Sequence, residues 1–198
     1  LRSVESYYML ADNIGYIKIN RFSQTTYEEF ESATKSLMAS GMTKMILDLR
    51  DNPGGYLSAA REISDTFLDK DQTIVITQTN KGKEERSFAT GLGIFKEGDL
   101  VVLTNGQSAS ASEIVAGAIQ DNDRGWVVGR RTFGKGLVQQ QMPLGGGDAI
   151  RLTIARYFTP TGRSIQKPYG RDHEAYYNDL NQRIENGEMA DENKIPIA

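Results

Sequence analysis

The apolar spacing of this chain keeps changing period. "IGYIKINRF" (14–22) alternates apolar and polar residues, the mark of a strand; "TTYEEFESATKSLMASG" (25–41) then takes helical spacing, with a threonine start, an acidic first turn and Gly41 as a stop. The switch recurs. "KMILDLRDNPGG" (44–55) opens as a buried strand and closes in a turn, and "YLSAAREISDTFLDK" (56–70) sets Leu57, Ala60, Ile63, Ser64 and Phe67 at helical spacing. "TIVITQTN" (73–80) is again a strand, 81–98 a hairpin or loop, "DLVVLTNG" (99–106) a buried strand and "SASEIVAGAIQDN" (110–122) its helix. A short strand "GWVVGR" (125–130) and a long hairpin over 136–162, turning at Gly145–Gly147, complete the pattern. Strands alternating with helices predict α/β layers with parallel pairing, to which the last hairpin adds an antiparallel piece. In such folds sites gather where strands end and helices begin. Two loops, 50–56 and 104–110, hold that position.

At 198 residues the sequence suits one domain with a trailing segment: a core over 1–165 and a polar tail over 166–198 that wraps the surface or is partly disordered. Tyr176, Tyr177, Leu180 and Ile184 offer that tail a short helix. Hydrophobic residues make up 38%, enough for a core, and no apolar run reaches the length of a membrane span. The net charge of -3 is spread along the chain without a basic stripe, which argues against nucleic acid. There is no cysteine, so thiolate chemistry is excluded, and the one histidine and scattered carboxylates lack metal-ligand spacing.

Chemistry enters at "NGQSASASEIVAGAIQDN" (105–122), where Ser108, Ser110 and Ser112 alternate at the mouth of a helix. Ser110 and Glu113 fit a capping box, which is a purely structural reading. A helix start also aims unpaired N–H groups and partial positive charge at whatever sits there, as an acyl-transfer oxyanion requires. A serine attacks only when a base takes its proton. His173 stands in a polar stretch with nothing apolar to frame it and reads as a surface residue. A lysine would serve if desolvation lowered its pKa. Lys135, between two glycines in "RRTFGKGLVQQQ" (130–141), has Phe133, Leu137 and Val138 to dry its ammonium and Gln139 to hold the amine. One oxyanion donor is the amide after the nucleophile, Ala111, and "RDNPGG" offers another at Gly54.

"DLRDNPGG", "NGQSASASEIVAGAIQDN", "GRRTFGKGLVQQ" and "YFTPTGRSIQ", in this order and at these separations, closely resemble the catalytic domain of the C-terminal processing peptidases, or tail-specific proteases, over 14–166. The resemblance implies a serine endopeptidase with a crotonase- or ClpP-like α/β core. It implies Ser110 as nucleophile, Lys135 as base, Gln139 orienting the lysine, and Gly54 and Ala111 as oxyanion-hole amides, with Ser108 and Ser112 structural. It further implies no cofactor, a protein or peptide substrate with a flexible C-terminal tail, and a place in the periplasm or cell envelope. Family members carry a PDZ domain just ahead of this core, which this sequence does not contain. Other readings are an inactive peptide-binding core of the same fold, a core active only with its PDZ domain, and a crotonase-type acyl enzyme, for which no CoA site is visible.

Overall fold

The computed structural model describes residues 2–168 and 173–187. Among the described residues, two sheets are built from nine strands, and four helices accompany them. β1 (Val4–Ala11) and β2 (Ile14–Ile19) form an antiparallel hairpin; β2 then pairs in parallel with β3 (Lys44–Asp48), β3 with β6 (Asp99–Thr104), and β6 with β7 (Trp126–Gly129). The second sheet, in the order β5-β4-β9-β8, is antiparallel: β4 (Thr73–Thr79), β5 (Glu84–Phe88), β8 (Leu137–Gly145) and β9 (Asp148–Phe158). This mixed α/β architecture follows the alternation in the sequence, with two differences. β1 was not apparent, because it is an edge strand whose Tyr7, Tyr8 and Leu10 stay exposed, leaving no clean alternation to read. β4 does not extend the parallel sheet as its position after a helix predicts. It opens the second sheet instead.

The helices are α1 (Thr26–Ala39), α2 (Leu57–Asp65), α3 (Ala111–Asp121) and α4 (His173–Glu185). α3 packs on α2 and on strands of both sheets, β4 and β7. Its residues 111–119 are buried on every side, which is why "IVAGAI" is apolar all round rather than along one stripe, while the polar Ser112 and Glu113 at its start are hydrogen-bonded. Phe30, Phe67, Leu47, Leu49, Ile63 and Leu100 fill the core beside it. Burying such side chains contributes about 1.5–3 kcal/mol each.

The β8–β9 hairpin behaves differently. Gly146 and Gly147 both take positive φ, 63° and 94°, between paired Gly145 and Asp148, which is the two-residue turn that the right-handed twist of a hairpin selects. Only residues 155–158 of β9 pair with β4. The rest of the hairpin stands out from the body as a two-stranded ribbon with Met142, Leu144, Ile150, Leu152 and Ile154 exposed. The segment after β9 turns back onto the core: Gln166 is buried, its Oε1 accepts the Gly136 amide at 3.0 Å, and the Lys167 amide donates to Gly134 O at 3.0 Å. α4 follows. Of the side chains expected there, Ile184 is exposed, while those of His173, Tyr176, Tyr177 and Leu180 lie outside the described residues.

Candidate functional site

The strand-end loops 50–56 and 104–110 meet at the carboxyl ends of β3 and β6 and are stitched together by hydrogen bonds. The Asp51 amide donates to Asn105 Oδ1 at 3.0 Å, and Asn105 Nδ2 to Asp51 Oδ1 at 2.9 Å. Asn52 does the most. Buried before Pro53, it donates from Nδ2 to Ile19 O at 2.7 Å, accepts the Gly54 amide on Oδ1 at 2.9 Å, and takes both the Ala109 amide and the Ser112 hydroxyl on its carbonyl at 3.0 Å. The sequence reading passed over it; an asparagine ahead of Pro-Gly-Gly is the available signal, since Asn side chains bond their own backbone in turns.

The base of the first loop is equally fixed. Asp48, fully buried at the end of β3, accepts Arg50 Nη2 at 2.6 Å and Tyr16 Oη at 2.6 Å. Burial works to raise the Asp48 pKa, but the hydrogen bonds from Arg50 and Tyr16 prevail and hold it below the usual carboxylate range. Burial, and then the neighbouring Asp48, push the Tyr16 hydroxyl up to about 12.

The three serines separate by environment. Ser108 is buried and donates to Leu49 O at 2.7 Å; Ser112 is buried and bonded to Asn52 O as above. Ser110 is half-buried, and its backbone sits at φ 56°, ψ -110°, a region L-residues avoid at a cost of roughly 1–3 kcal/mol. An ordinary N-cap residue is extended at this point. The capping box read from the sequence is present, with the Ser110 amide on Glu113 Oε2 at 2.7 Å, but it is built on a strained residue at a sharp strand-to-helix turn. Among the described residues the Ala111 amide, first in the helix, has no acceptor. Gly54 lies directly against the turn. A Cβ there would stand 2.6 Å from Ala109 O and 2.8 Å from the Ala111 nitrogen, so only glycine permits this approach. Its own amide is taken by Asn52 Oδ1.

Glu113 is far more than a cap. Only 5% exposed, its carboxylate gathers four donors: Ser110 N (2.7 Å) and Lys135 N (2.9 Å) on Oε2, and Thr132 Oγ1 (2.7 Å) and Gly134 N (2.6 Å) on Oε1. The backbones of Ser110 and Lys135 thus share one oxygen, and their nitrogens are no farther apart than those two bonds laid end to end. The Phe133 amide adds a bond to Ser108 O at 3.0 Å.

The lysine side chain does not follow the sequence reading. Lys135 is exposed, Phe133 is 40% exposed with its ring 5.4 Å from the Lys167 ammonium, and Gln139 is exposed on β8. The apolar pocket expected from Phe133, Leu137 and Val138 is not closed over the amine, because the hairpin leading away from Lys135 projects from the core. Among the described residues no hydrogen bond joins Lys135 Nζ to Ser110 Oγ or to Gln139. A hollow of about 440 Å³ is lined by Glu113 and, among others, by Arg130, Thr132, Gly134, Thr159 and Gln166, and its lining does not include Ser110.

Comparison with known proteins matches peptidase family S41 over residues 13–174. A carboxy-terminal-processing protease of Bartonella bacilliformis is 43% identical over 164 residues, 80% of this chain and 38% of that protein. The chloroplastic carboxyl-terminal-processing peptidase 3 of Arabidopsis thaliana is 40% identical over 153 residues, 77% of this chain and 30% of that protein. The chain therefore spans less than two fifths of the length of these relatives. Among solved structures, a photosystem II D1 C-terminal processing protease superposes with a TM-score of 0.72 at 36% identity, covering 77% of this chain and 39% of that one. The chain belongs to peptidase family S41.

Proposed function

We propose that this chain is the catalytic core of a serine endopeptidase that cleaves proteins near their C-termini, with Ser110 as nucleophile and Lys135 as general base. The observation that carries the reading is the strained, half-buried Ser110 at the start of α3, beside two serines whose hydroxyls are already committed to backbone carbonyls. Strain of this kind persists only where the surroundings over-determine it, and it concentrates at working sites. Lys135 takes the Ser110 proton as Oγ adds to the peptide carbonyl. The lysine then protonates the leaving amine, and a water activated by the same amine releases the acyl group. The Ala111 amide meets the oxyanion, and the second donor comes from the Gly54–Gly55 turn once Gly54 N–H leaves Asn52 Oδ1.

The exposed Lys135 corresponds to an open arrangement. Closure of the β8–β9 hairpin over the site, bringing Gln139 to the amine, supplies the desolvation that a lysine base requires. The core over 1–165 rests on the length of the chain and its polar tail; its kinship with crotonase- and ClpP-like folds, a PDZ partner domain and a periplasmic or envelope location rest on family resemblance.

The test is hydrolysis of a tagged peptide by the wild type, Ser110→Ala and Lys135→Ala. Each variant loses cleavage while keeping the wild-type melting curve. Undiminished turnover by either one refutes the dyad, and a wild type without turnover whose Ser110 also resists acylation favours the inactive peptide-binding core.

A further inference from the structure

The segment 131–136, which carries Lys135, has neither helix nor strand of its own, so its position depends on what grips it. Glu113 grips it from within, through the Thr132 hydroxyl and the amides of Gly134 and Lys135. The opposite side is held by α4. Arg183, only 4% exposed, donates from Nη2 to Arg131 O at 2.5 Å and from Nη1 to Thr132 O at 3.5 Å. One turn earlier on the helix, Asp179 pairs with Arg131 at 3.4 Å and with Lys167 at 3.5 Å. The Lys167 amide closes the ring on Gly134 O. The segment is thus suspended between an anion that collects its N–H groups and a guanidinium that collects its carbonyls. Charge-assisted bonds of this sort are about twice as strong as neutral ones, and the planar guanidinium fork suits two neighbouring carbonyls as a lysine does not.

We infer that Arg183 is a positioning residue for the reaction: from the C-terminal helix it fixes residues 131–132 and so sets where Lys135 stands relative to Ser110. The inference rests on the assignment of Lys135 as base. It makes α4 a support of the catalytic segment, acting through the backbone of residues 131–132.

The experiment compares wild type, Arg183→Met, Arg183→Lys and Ser110→Ala in two readouts, peptide hydrolysis and site-resolved amide hydrogen exchange. In Arg183→Met the Gly134 and Lys135 amides, which bond Glu113 and not Arg183, exchange roughly tenfold faster as the segment is released. Because a displacement near 1 Å is enough to cost about a hundredfold, kcat falls by between about ten- and a hundredfold while KM stays within about twofold. Arg183→Lys recovers part of both. A folded Arg183→Met chain with wild-type kcat overturns the inference, and so does a fall in kcat with amide exchange at 134–135 unchanged. If Arg183→Met does not fold, Arg183→Lys decides, and its parity with wild type in both readouts overturns the inference. Hydrolysis that persists in Ser110→Ala refutes the Ser110–Lys135 dyad instead, while the exchange data still judge the clamp.

Discussion

Replacing Glu113 by glutamine keeps its shape and removes one acceptor oxygen, and the structure says which bond is lost. The two oxygens carry two donors each. A glutamine has one oxygen and one NH2 group, so one pair of donors must face nitrogen. The amide oxygen stays where Oε2 was, because both donors there, Ser110 N and Lys135 N, are backbone N–H groups with no way to turn. At the other position the Thr132 hydroxyl rotates and accepts from the NH2, since a hydroxyl serves either way. Gly134 N–H has no such freedom and is left facing a donor.

One orphaned, half-buried amide costs about 1–3 kcal/mol, and the retained bonds lose their charge assistance. Glu113→Gln is therefore less stable than wild type by about 2–4 kcal/mol, and Glu113→Ala, which strips all four donors, by more. Urea unfolding measures this as a lowered midpoint at constant slope. Site-resolved exchange adds a sharper signature: in Glu113→Gln the Gly134 amide exchanges faster than the Lys135 amide. A Glu113→Gln chain within about 0.5 kcal/mol of wild type, or one in which Lys135 is the amide released, refutes the reasoning.

Ser110→Gly is more stable than Ser110→Ala by about 1 kcal/mol, since glycine accepts φ 56° and alanine keeps the Cβ that opposes it; the reverse order in urea unfolding contradicts a strained turn. Tyr16, with its folded pKa near 12 and an unfolded value of 10.0, stabilises the fold fully below pH 10 and loses that contribution as pH rises from 10 to 12. The stability gap between wild type and Tyr16→Phe consequently narrows over that window, and a gap that stays constant to pH 12 rejects the assignment.

Much of the site was legible in the sequence because its parts are local. A strand end, a proline-glycine turn and a serine ahead of a helix are each written in a few consecutive residues, and the two loops so identified are the ones that the structure joins through Asn52 and Asn105. What escaped the reading depends on contacts distant in sequence. Glu113 reads as a cap from its spacing to Ser110, yet three of its four donors lie in 132–135, about twenty residues on, and no local pattern announces them. Arg183 is one arginine in a polar stretch until α4 folds back across some fifty residues to reach Arg131 O. The dry setting expected for Lys135 failed for a related reason. Apolar neighbours in sequence desolvate an amine only if something covers them. Here the chain beyond Lys135 departs into a ribbon that pairs with the core only at 155–158.

The strain at Ser110 and the four donors on Glu113 form one arrangement. A residue at φ 56°, ψ -110° relaxes unless both its amide and its carbonyl are held. The Ser110 amide is held by Glu113 Oε2, and its carbonyl by the amides of Glu113 at 2.9 Å and Ile114 at 3.0 Å. The carboxylate that keeps the serine in its strained turn is therefore the one that fixes the segment bearing the lysine. Loosening Glu113 lets the turn relax and the lysine drift together, so the proposed nucleophile and base are coupled through the backbone. Such coupling makes Glu113 and Arg183 substitutions non-additive: once Glu113 no longer collects the amides of 134–135, losing Arg183 on the other side of the segment costs less than it does alone.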